Sequence, residues 1–502
     1  MASWRTSSRL SSPQMSEVFG LDPRALDRAR ISRDARFDGK FFVAVTSTGI
    51  YCRPICPART SKRSNIRFYP TAAAAAAAGY RPCLRCRPEA APGTPAWQGT
   101  CAVVQRALRL IEAGVLDDAS VDDLAERLGI GARHLHRLFL QHVGAPPIVV
   151  AQTRRLHFAK RLLDQTKLPI TEIALAAGFG SVRRFNSAFH QTYGRAPREC
   201  RQQRAAGPGE QNEVILRLAY RPPYDWIQVR DFLAARALPG VEQVDEQGYS
   251  RTVVTPDGYG IIWVRPAAGE DALELHVRGT SSRALLQLSS SARRMFDLAA
   301  DPARITLAFA SDSLMAPLVK RRPGLRIPGA WDPFECAVRA ILGQQVSVAA
   351  GRTFAARLVM RIGRRVGETE SGLTHLFPSP QDVAKADLDG LGLTSARIKA
   401  LRSLATAVAA GHVAFDRPAT EVCETLASLP GIGRWTTEYV ALRALGEPDA
   451  FPASDLVLRR MASNNGVPLG ERALNLRAES WRPWRGYATL HLWQKATDER
   501  NL

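Results

Sequence analysis

The chain of 502 residues contains only eight cysteines and no run of about 20 apolar residues, the length that a membrane-crossing helix needs. A small disulfide-stabilised fold is excluded, because a chain of this length can bury hydrophobic cores of its own. The first 20 residues lack the apolar segment of a secretion signal. We therefore expect a cytoplasmic, nucleoid-associated protein with reduced cysteines. The first ~15 residues should form a disordered leader, and Met15 is an alternative start.

Acidic residues are scarce relative to basic ones: 47 Asp and Glu stand against 68 Lys and Arg, a net charge of +21. The excess lies towards the N-terminus, since residues 1–210 contain 32 basic and 16 acidic residues, whereas residues 211–502 contain 36 and 31. Lys and Arg that neutralise phosphates release condensed counterions, so a polyanion, nucleic acid before membrane, is the expected partner. An Arg-rich solvated surface without such a partner is the alternative.

Three segments rich in Pro, Gly or small residues divide the chain, at 91–99, at 201–211 and, less sharply, at 320–333. A length of ~150 residues per domain predicts three or four domains. We expect four units, at 16–92, 98–203, 211–322 and 323–502.

In the first unit, the alternation of apolar residues predicts one strand over 41–52. The alanine-rich segment 71–80 predicts a short helix that ends at Gly79.

Four cysteines of this unit form two close pairs, Cys52-x3-Cys56 and Cys83-x2-Cys86. Two such pairs separated by a small fold suit one tetrahedral Zn²⁺, each pair binding from a tight turn. Disulfide pairing is the alternative, which a reducing compartment disfavours. Ordinary buried thiols are expected for the remaining four, Cys101, Cys200, Cys336 and Cys423.

The run DARFDGKFFVAVTSTGIYCRPICPART, with GYRPCLRC, resembles the N-terminal domain of Ada-type adaptive-response proteins. The resemblance implies one Zn²⁺ per chain and a role for Cys52 as acceptor of the methyl group of a DNA methyl phosphotriester. A zinc-bound thiolate is also nucleophilic at neutral pH on general grounds. Four thiolates and Zn²⁺ carry a charge of about −2, and methylation leaves about −1, which repels DNA less. Expected phosphate contacts are Arg53, Arg59, Lys62, Arg63 and Arg67, any of which could singly be a solvated surface charge.

The second unit repeats one helical plan, at 121–144 and 171–194, each copy with a glycine at the turn (Gly129, Gly178) and a basic second helix. Joined by a helix over 154–166, the copies resemble the AraC-type DNA-binding domain; two helical hairpins in an ordinary bundle are the alternative. The resemblance implies that each second helix enters a major groove. Expected base or phosphate readers are Arg133, His136, Arg183, Arg184 and Asn186.

Ada-type proteins place these two units side by side, so residues 16–203 are similar to the regulatory half of an alkylation-response activator. The expected partners are promoter DNA and RNA polymerase. The Pro-Cys-His-Arg motif of the methylguanine methyltransferase that follows in full-type Ada proteins does not occur in this sequence. We therefore predict no repair of O6-alkylguanine.

In the second half, LPGIG (429–433) predicts a hairpin between two helices, in which Gly431 and Gly433 allow a sharp turn that exposes amide groups to a phosphate. Asp455 follows 22 residues after Gly433. This arrangement resembles the helix-hairpin-helix DNA glycosylases, in which an aspartate at this position assists cleavage of the N-glycosidic bond. The hairpin alone also occurs in DNA-binding proteins without catalytic activity.

Strand-cutting members of that superfamily carry a lysine two residues after the second hairpin glycine, where this chain has Trp435. A monofunctional enzyme that uses water is implied, and the lack of a terminal four-cysteine cluster disfavours the iron–sulfur branch. Most of 211–502 resembles AlkA-type 3-methyladenine DNA glycosylases, through LAYRPPYDW, RPGLRIPGAWDPFECAVRAILGQQVSV and WRPWRGYATLHLW.

Alkylation at purine N3 or N7 makes the base a cationic leaving group, which an aromatic pocket can select by stacking and cation–π attraction. By the resemblance, Trp435, Tyr439 and Trp493 line that pocket, although a single aromatic residue is more often core. Asp455 would stabilise an oxocarbenium-like sugar or orient water. Gln345 stands where the family has an apolar wedge that fills the gap left by the flipped base, which leaves the lesion range open.

Together these features predict a multidomain protein, mainly α with α+β parts. Its four units would be a four-cysteine zinc α+β domain, an all-α double helix-turn-helix domain, an α+β domain similar to the AlkA N-terminal domain, and an all-α helix-hairpin-helix glycosylase domain. The expected function is methyl transfer from DNA methylphosphotriesters to activate transcription, combined with excision of 3-methyladenine and 7-methylguanine. The alternative is a transcription regulator whose second half binds DNA without catalysis.

Overall fold

The computed structural model describes residues 22–92, 102–201, 213–367, 372–463 and 467–500. The expected leader with Met15, the cysteine at position 101 and most of the two predicted linkers lie outside the described residues. Within the described ranges, no helix combines the length and the apolar character needed to cross a membrane.

A small four-stranded sheet forms the first unit, in the order β3-β1-β2-β4. The segment 41–52 is a hairpin rather than one strand, because the chain turns at Gly49, whose φ is +65°. Helix α1 packs on one face and the alanine helix α2 lies near the other, capped by Thr71 Oγ1, which accepts a hydrogen bond from the Ala74 amide at 3.0 Å. The elements are α1 (Pro23–Ile31), β1 (Phe42–Val45), β2 (Ile50–Cys52), β3 (Ile66–Tyr69), α2 (Ala72–Ala77) and β4 (Arg81–Pro82).

The second unit is all helical and contains two helix-turn-helix copies joined by the long helix α7. The turn glycines, Gly129 and Gly178, have φ values of +70° and +78°, as the sharp bend requires. The helices are α3 (Ala102–Glu112), α4 (Val115–Asp118), α5 (Val121–Arg127), α6 (Ala132–His142), α7 (Pro147–Gln165), α8 (Ile170–Ala176), α9 (Val182–Tyr193) and α10 (Pro197–Cys200).

The third unit has a five-stranded antiparallel sheet in the order β5-β9-β8-β7-β6, with helices packed against it. Its elements are β5 (Glu213–Ala219), α11 (Trp226–Ala234), β6 (Glu242–Val244), β7 (Tyr249–Thr255), β8 (Gly258–Pro266), β9 (Ala272–Arg278), α12 (Leu285–Met295), α13 (Pro302–Phe309) and α14 (Met315–Arg321).

The fourth unit is helical. A buried ion-pair network joins it to the third, in which Arg251 lies 2.7 Å from Glu335. Its helices are α15 (Pro333–Leu342), α16 (Val348–Ile362), α17 (Pro380–Lys385), α18 (Ser395–Ala409), α19 (Ala419–Ala427), α20 (Arg434–Arg443), α21 (Leu456–Met461), α22 (Glu471–Ala478) and α23 (Arg485–Arg500).

Hydrophobic cores do not follow the unit boundaries. The second helix-turn-helix copy and the five-stranded sheet share one core, which contains Phe185 and Phe189 of α9 together with Leu216 and Leu218 of β5. The first helix-turn-helix copy has a separate core. The second unit is therefore built onto the second half of the chain.

Polar contacts tie the first unit to its neighbours. Tyr51 Oη and His157 Nε2 of α7 are hydrogen-bonded at 2.9 Å, and burial lowers the pKa of His157 to about 3, so the ring is neutral at physiological pH. Lys40 Nζ lies 2.6 Å from the Asp301 carboxylate in the third unit. These contacts fix the first unit against both the second and the third.

Candidate functional site

The two cysteine pairs meet because β2 and β4 run parallel, with Tyr51 opposite Pro82. Cys52 ends β2 and Cys83 directly follows β4, so both pairs start at the same end of neighbouring strands. The four Sγ atoms, with Cys56 and Cys86, all lie within 4.8 Å of one another. The sequence prediction that these four side chains form one cluster is confirmed.

This cluster fits a tetrahedral Zn²⁺. Zinc–sulfur bonds of about 2.3 Å place thiolates on average about 3.8 Å apart, a separation that falls within the 4.8 Å limit of the cluster. The backbone amide of Arg53 donates to Cys86 Sγ at 3.3 Å, a contact that suits a thiolate acceptor. Cys83 and Cys86 are buried, whereas Cys52 and Cys56 are partly exposed. Cys52 can therefore be reached from outside the unit.

Arg53 differs from the other predicted phosphate contacts. Its side chain is 14% exposed, and its Nε donates to Asp38 at 2.9 Å while Nη1 donates to the Cys86 carbonyl at 3.2 Å. Burial alone would lower its pKa, but the Asp38 carboxylate outweighs burial and raises the pKa of Arg53 above its usual range. Arg53 therefore stabilises the turn that holds the cysteines, and its guanidinium is not available to a phosphate in this conformation. Arg59, Lys62, Arg63 and Arg67 are exposed, as a phosphate contact requires.

The predicted reading residues lie on the second helix of each copy, α6 and α9. All five, Arg133, His136, Arg183, Arg184 and Asn186, are exposed. The opposite faces are buried through Leu135 and Phe139 in α6 and through Phe185 and Phe189 in α9. Both helices thus present a basic or polar face while their apolar face packs into a core.

Three of the other cysteines can be placed, and none lies in the four-cysteine cluster. Burial raises the pKa of Cys336 to about 11 and that of Cys423 to about 11, and it raises the pKa of Cys200. A thiol that stays protonated at neutral pH is a poor nucleophile. Cys200 and Cys336 are buried, as the sequence predicted, whereas Cys423 is partly exposed.

The LPGIG segment forms the predicted hairpin between α19 and α20. Gly431 has φ +79°, and a Cβ there would lie 2.9 Å from the Ala400 Cβ, so both the turn and the packing require glycine. Gly433 caps α20 with φ −93°, and a Cβ there would meet no atom within 4 Å. The hairpin surface beside Gly433 is open to a phosphate.

Asp455 is the N-cap residue of α21 and is held by three N–H donors. Its Oδ1 accepts from the Val457 and Leu458 amides at 2.9 and 3.0 Å. Its Oδ2 accepts from Trp435 Nε1 at 2.9 Å. Trp435 therefore both lines the site and orients the carboxylate, which the sequence did not predict.

Three aromatic residues beside Asp455 form the wall of a cavity of about 860 Å³. Trp435 and Tyr439 are one helical turn apart in α20 and stack with ring centroids 5.1 Å apart, at 17°. The ring centroids of Tyr439 and of Trp493 in α23 lie 6.2 Å apart. All three rings and Asp455 border this one cavity. A flat, electron-rich wall beside a carboxylate suits a planar cationic ligand.

Further lining residues were missed by sequence reasoning. Trp331 precedes α15, and Phe232 and Arg236 lie in and just after α11 of the third unit, so the cavity lies between two units. Arg443 donates to the Tyr439 hydroxyl and lies 4.6 Å from the Phe232 ring centroid. Arg443 could have been found from its spacing, because residues four apart on one helix lie on the same face and Tyr439 was already predicted to line the pocket. No local pattern marks α11.

Gln345 is exposed between α15 and α16, with φ +55°. Few non-glycine residues adopt this left-handed conformation, which costs about 1–2 kcal/mol. The preceding residue, Gln344, anchors the turn, since its Nε2 donates at 2.9 Å both to the Gly431 carbonyl and to Thr436 Oγ1. Gln345 and the hairpin therefore lie on one face of the fourth unit.

Four family models match the chain in order. They are the metal binding domain of Ada (residues 25–89), a helix-turn-helix domain (124–203), the AlkA N-terminal domain (215–332) and the HhH-GPD superfamily base excision DNA repair protein (338–485). The order agrees with that of the four predicted fold types.

The chain is 43% identical over 472 residues to a probable bifunctional transcriptional activator/DNA repair enzyme AlkA of Mycobacterium tuberculosis, covering 93% of this chain and 95% of that protein. It is 34% identical to the DNA-3-methyladenine glycosylase 2 of Escherichia coli, over 55% of this chain and 95% of the relative. A 3-methyladenine DNA-glycosylase structure from Archaeoglobus fulgidus is similar in fold, with a TM-score of 0.50 and 24% identity, covering 55% of this chain and 96% of that chain.

Proposed function

Since the chain belongs to the family of bifunctional transcriptional activator/DNA repair enzymes that join Ada-type and AlkA-type domains, we propose that it senses and repairs DNA alkylation at two separate sites. The chain is a DNA repair hydrolase and a methyl-transfer enzyme, with one Zn²⁺ in the four-cysteine site. We further propose that the units divide at the boundaries predicted from the sequence and that the protein acts on the nucleoid of the cytoplasm.

The repair site is proposed to excise purines alkylated at N3 or N7, such as 3-methyladenine and 7-methylguanine. The observation that carries this is the Asp455 carboxylate, bound by Trp435 Nε1 at the edge of the stacked aromatic wall. Alkylation gives the base a positive charge, which the rings of Trp435 and Tyr439 attract. The same charge makes the base a good leaving group, so that little general-acid help is needed.

In the proposed reaction the bond between the sugar C1′ and the base nitrogen breaks, and its electron pair leaves with the base. Water bonds to C1′ and releases a proton. Asp455 stabilises the positive charge that develops on the sugar or orients the water, a role that carboxylates also have in glycoside hydrolysis. Because Trp435 occupies the position of the lysine found in strand-cutting enzymes, no Schiff base forms and the strand is left intact.

Base release from methylated duplex DNA tests this proposal. Wild-type protein should release free 3-methyladenine and 7-methylguanine, and Asp455→Asn should release at least about 100-fold less per unit time, the scale expected for a lost electrostatic contact to a transition state. Asn keeps the size of the side chain and can still cap α21 through its Oδ1, but its amide nitrogen cannot accept from Trp435, so the variant removes the negative charge together with that one hydrogen bond. Retained binding by Asp455→Asn would show that the loss is chemical. No release by the wild-type protein would favour the non-catalytic alternative.

At the four-cysteine site, Cys52 is proposed to accept the methyl group of a DNA methyl phosphotriester. The Cys52 sulfur bonds to the methyl carbon, the bond between that carbon and the phosphate oxygen breaks, and its electron pair stays on the phosphodiester. Bound zinc keeps the cysteines as thiolates at neutral pH. Arg53 and Asp38 hold the cysteine turn, while Arg59, Lys62, Arg63 and Arg67 are the proposed phosphate contacts.

Methyl transfer is proposed to activate DNA binding by the helix-turn-helix unit, because the thiolate centre loses one negative charge and repels phosphate less. Promoter DNA read by α6 and α9, and RNA polymerase recruited there, are the proposed partners. Peptide mass spectrometry after exposure to methyl-phosphotriester DNA should place one added methyl group on Cys52. A methyl group on another cysteine, or on none, would contradict the sensor role.

A further inference from the structure

We propose that one chain holds two DNA duplexes at once, one on the helix-turn-helix unit and one on the hairpin of the fourth unit. The inference rests on the proposed function, in which both units bind DNA, and goes beyond it by assigning the chain a bridging activity. It follows from the way the two units are docked.

The contact between the two units lies at one end of the hairpin helices. Arg106 of α3 donates through Nε and Nη2 to the Asp416 carbonyl at 2.9 and 2.6 Å. Arg109 of α3 donates to the Leu445 carbonyl and, through Nη2, to Glu447 Oε1 at 2.7 Å. Asp416 precedes α19, and Leu445 and Glu447 follow α20. The helix-turn-helix unit therefore contacts the fourth unit at residues just before α19 begins and just after α20 ends.

The proposed DNA contact lies at the opposite end of the same two helices. The turn at 429–433 connects the end of α19 to the start of α20. Helices of nine and ten residues are about 13–15 Å long at 1.5 Å per residue. Gln344 is bonded to the Gly431 carbonyl, which places Gln345 beside this turn. The docked unit therefore leaves the hairpin and Gln345 uncovered.

The reading residues of α6 lie outside the contact, to which α5 adds only Arg127, 3.4 Å from the Asp416 carboxylate. In α3, the buried Val104, Ala107 and Ile111 pack into the core of the first copy, and Arg106 and Arg109 lie about half a turn away on the other side of the helix. Helix α6 packs into the same core through Leu135 and Phe139 and exposes the opposite face.

The exposed face of α6 lies on one side of the core of the first copy, and α3 lies on the other side. Beyond α3 come the contact with the fourth unit and then α19 and α20, which lead to the hairpin. With packed helices 8–10 Å apart, the two DNA-binding faces are separated by roughly 25–30 Å and point in opposite directions.

The second copy also leaves its reading face exposed. Its scaffold helices α7 and α8 pack towards the third unit, where the backbone amide of Arg217 in β5 donates to Gln165 Oε1 at 3.0 Å. Arg183, Arg184 and Asn186 of α9 stay exposed. Because DNA is stiff over about 150 bp, a single short duplex cannot fold back to reach both faces. Two duplexes, or two distant segments of one long DNA, can.

A two-duplex capture experiment tests this. A biotinylated 12-bp duplex with a tetrahydrofuran abasic-site analogue is immobilised, because it is too short to span two major-groove sites one helical turn apart. Full-length protein, methylated beforehand at Cys52 with methyl-phosphotriester DNA and then freed of that DNA, is loaded, and a fluorescent, undamaged 40-bp duplex is added. We expect about one 40-bp duplex per protein, and analytical ultracentrifugation should give a complex of one protein with one duplex of each kind.

Two pairs of variants assign the faces. Arg183→Ala with Arg184→Ala should lower capture of the 40-bp duplex at least 10-fold and change retention on the short duplex less than 2-fold. Lys320→Ala with Arg321→Ala removes the same charge elsewhere and should preserve both. Gly433→Glu should lose retention on the short duplex while keeping the 40-bp duplex in solution. Ala409→Glu adds the same charge at an exposed position at the end of α18, away from the hairpin, and should retain both.

Displacement of the short duplex by the long one would overturn the inference, because it would show one shared surface. A complex of two proteins with two duplexes would overturn it as well. Failure of the wild-type protein to bind either duplex alone would overturn the proposed function and the inference with it. Binding of each duplex alone is therefore measured first.

Discussion

At the four-cysteine centre the ligands come from two turns at the end of a sheet whose strands are two to four residues long, whereas Asp455 starts a helix within a shell of helices. The cores of the first unit are small: Leu26, Phe41 and Phe68 belong to one, and Phe42 and Tyr51 to the other. The cavity instead lies between two large cores. One site depends on a metal for its geometry, and the other is preformed by packing.

The contrast fits the chemistry proposed at each site. A nucleophile that is consumed in one transfer needs access and a thiolate, which a metal supplies to a small fold. An enzyme that must turn over needs a fixed cavity that positions the substrate and a carboxylate in the same way in each cycle. Four changes test this difference, ordered from the strongest effect to the weakest.

Zinc removal separates the two sites most strongly. Treatment with a high-affinity chelator should reduce methyl uptake at Cys52 to background, because metal binding and folding of a small cysteine site are coupled. Base release should change less than about 2-fold, since none of the four clustered cysteines borders the wall of Trp435 and Tyr439. Both activities are measured on one sample before and after zinc is added back. Equal loss at both sites would contradict the distinction.

Removing one ring probes the preformed cavity. Trp493→Ala should lower base release about 10- to 100-fold, because a flipped base loses a stacking surface that contributes about 1–3 kcal/mol. Trp493→Phe is the matched control and should retain most of the activity. Release is compared for alkylated bases, with methyl uptake at Cys52 as the internal reference. An unchanged rate in Trp493→Ala would place the base elsewhere.

The hydrogen bond between Trp435 and Asp455 can be removed without opening the wall. Trp435→Phe keeps an aromatic ring beside Tyr439 but loses the Nε1 donor, so base release should fall about 5- to 10-fold, consistent with a bond to a charged group that contributes about 1.5 kcal/mol. The reduced rate should appear in kcat. A change confined to KM would assign Trp435 to binding alone.

The smallest effect is expected at the exposed turn. Gln345→Gly relieves the left-handed backbone at φ +55°, but glycine also adds freedom to the unfolded chain, so the free energy of unfolding should change by less than about 1 kcal/mol. Base release should fall 2- to 5-fold through loss of a side chain that fills space in DNA. Chemical denaturation and release assays check the two quantities. A rate equal to that of the wild type would remove Gln345 from the DNA contact.

Local patterns in the sequence predicted the zinc cluster, the helix-turn-helix copies and the hairpin, because each depends on spacing within a few residues. Trp435 and Tyr439 were predicted to line the same wall, and their four-residue spacing places them on one face of α20. The segment 41–52 was predicted as one strand and is a hairpin. The Thr-Ser-Thr-Gly turn at 46–49 was the overlooked signal.

Other features depend on contacts between distant parts of the chain. Arg53 was expected on a phosphate, but it pairs with Asp38, 15 residues earlier. Arg236 and Trp331 reach the cavity from elements outside the hairpin region. Local periodicity in the sequence cannot predict such contacts, because they depend on how distant segments pack against each other. The contact of α3 with residues 416 and 445–447 could not be predicted from spacing and composition either.

The core shared by α9 and the five-stranded sheet also limits how the chain can be divided. The sequence places a joint between Arg201 and Glu213, yet Phe185, Phe189 and Leu216 on its two sides belong to one apolar cluster. Proteolysis at that joint would leave two fragments that either stay associated or expose apolar surface and aggregate. Regulator and repair enzyme therefore share one folding unit, and a mutation that loosens this core should lower the cellular level of both activities together.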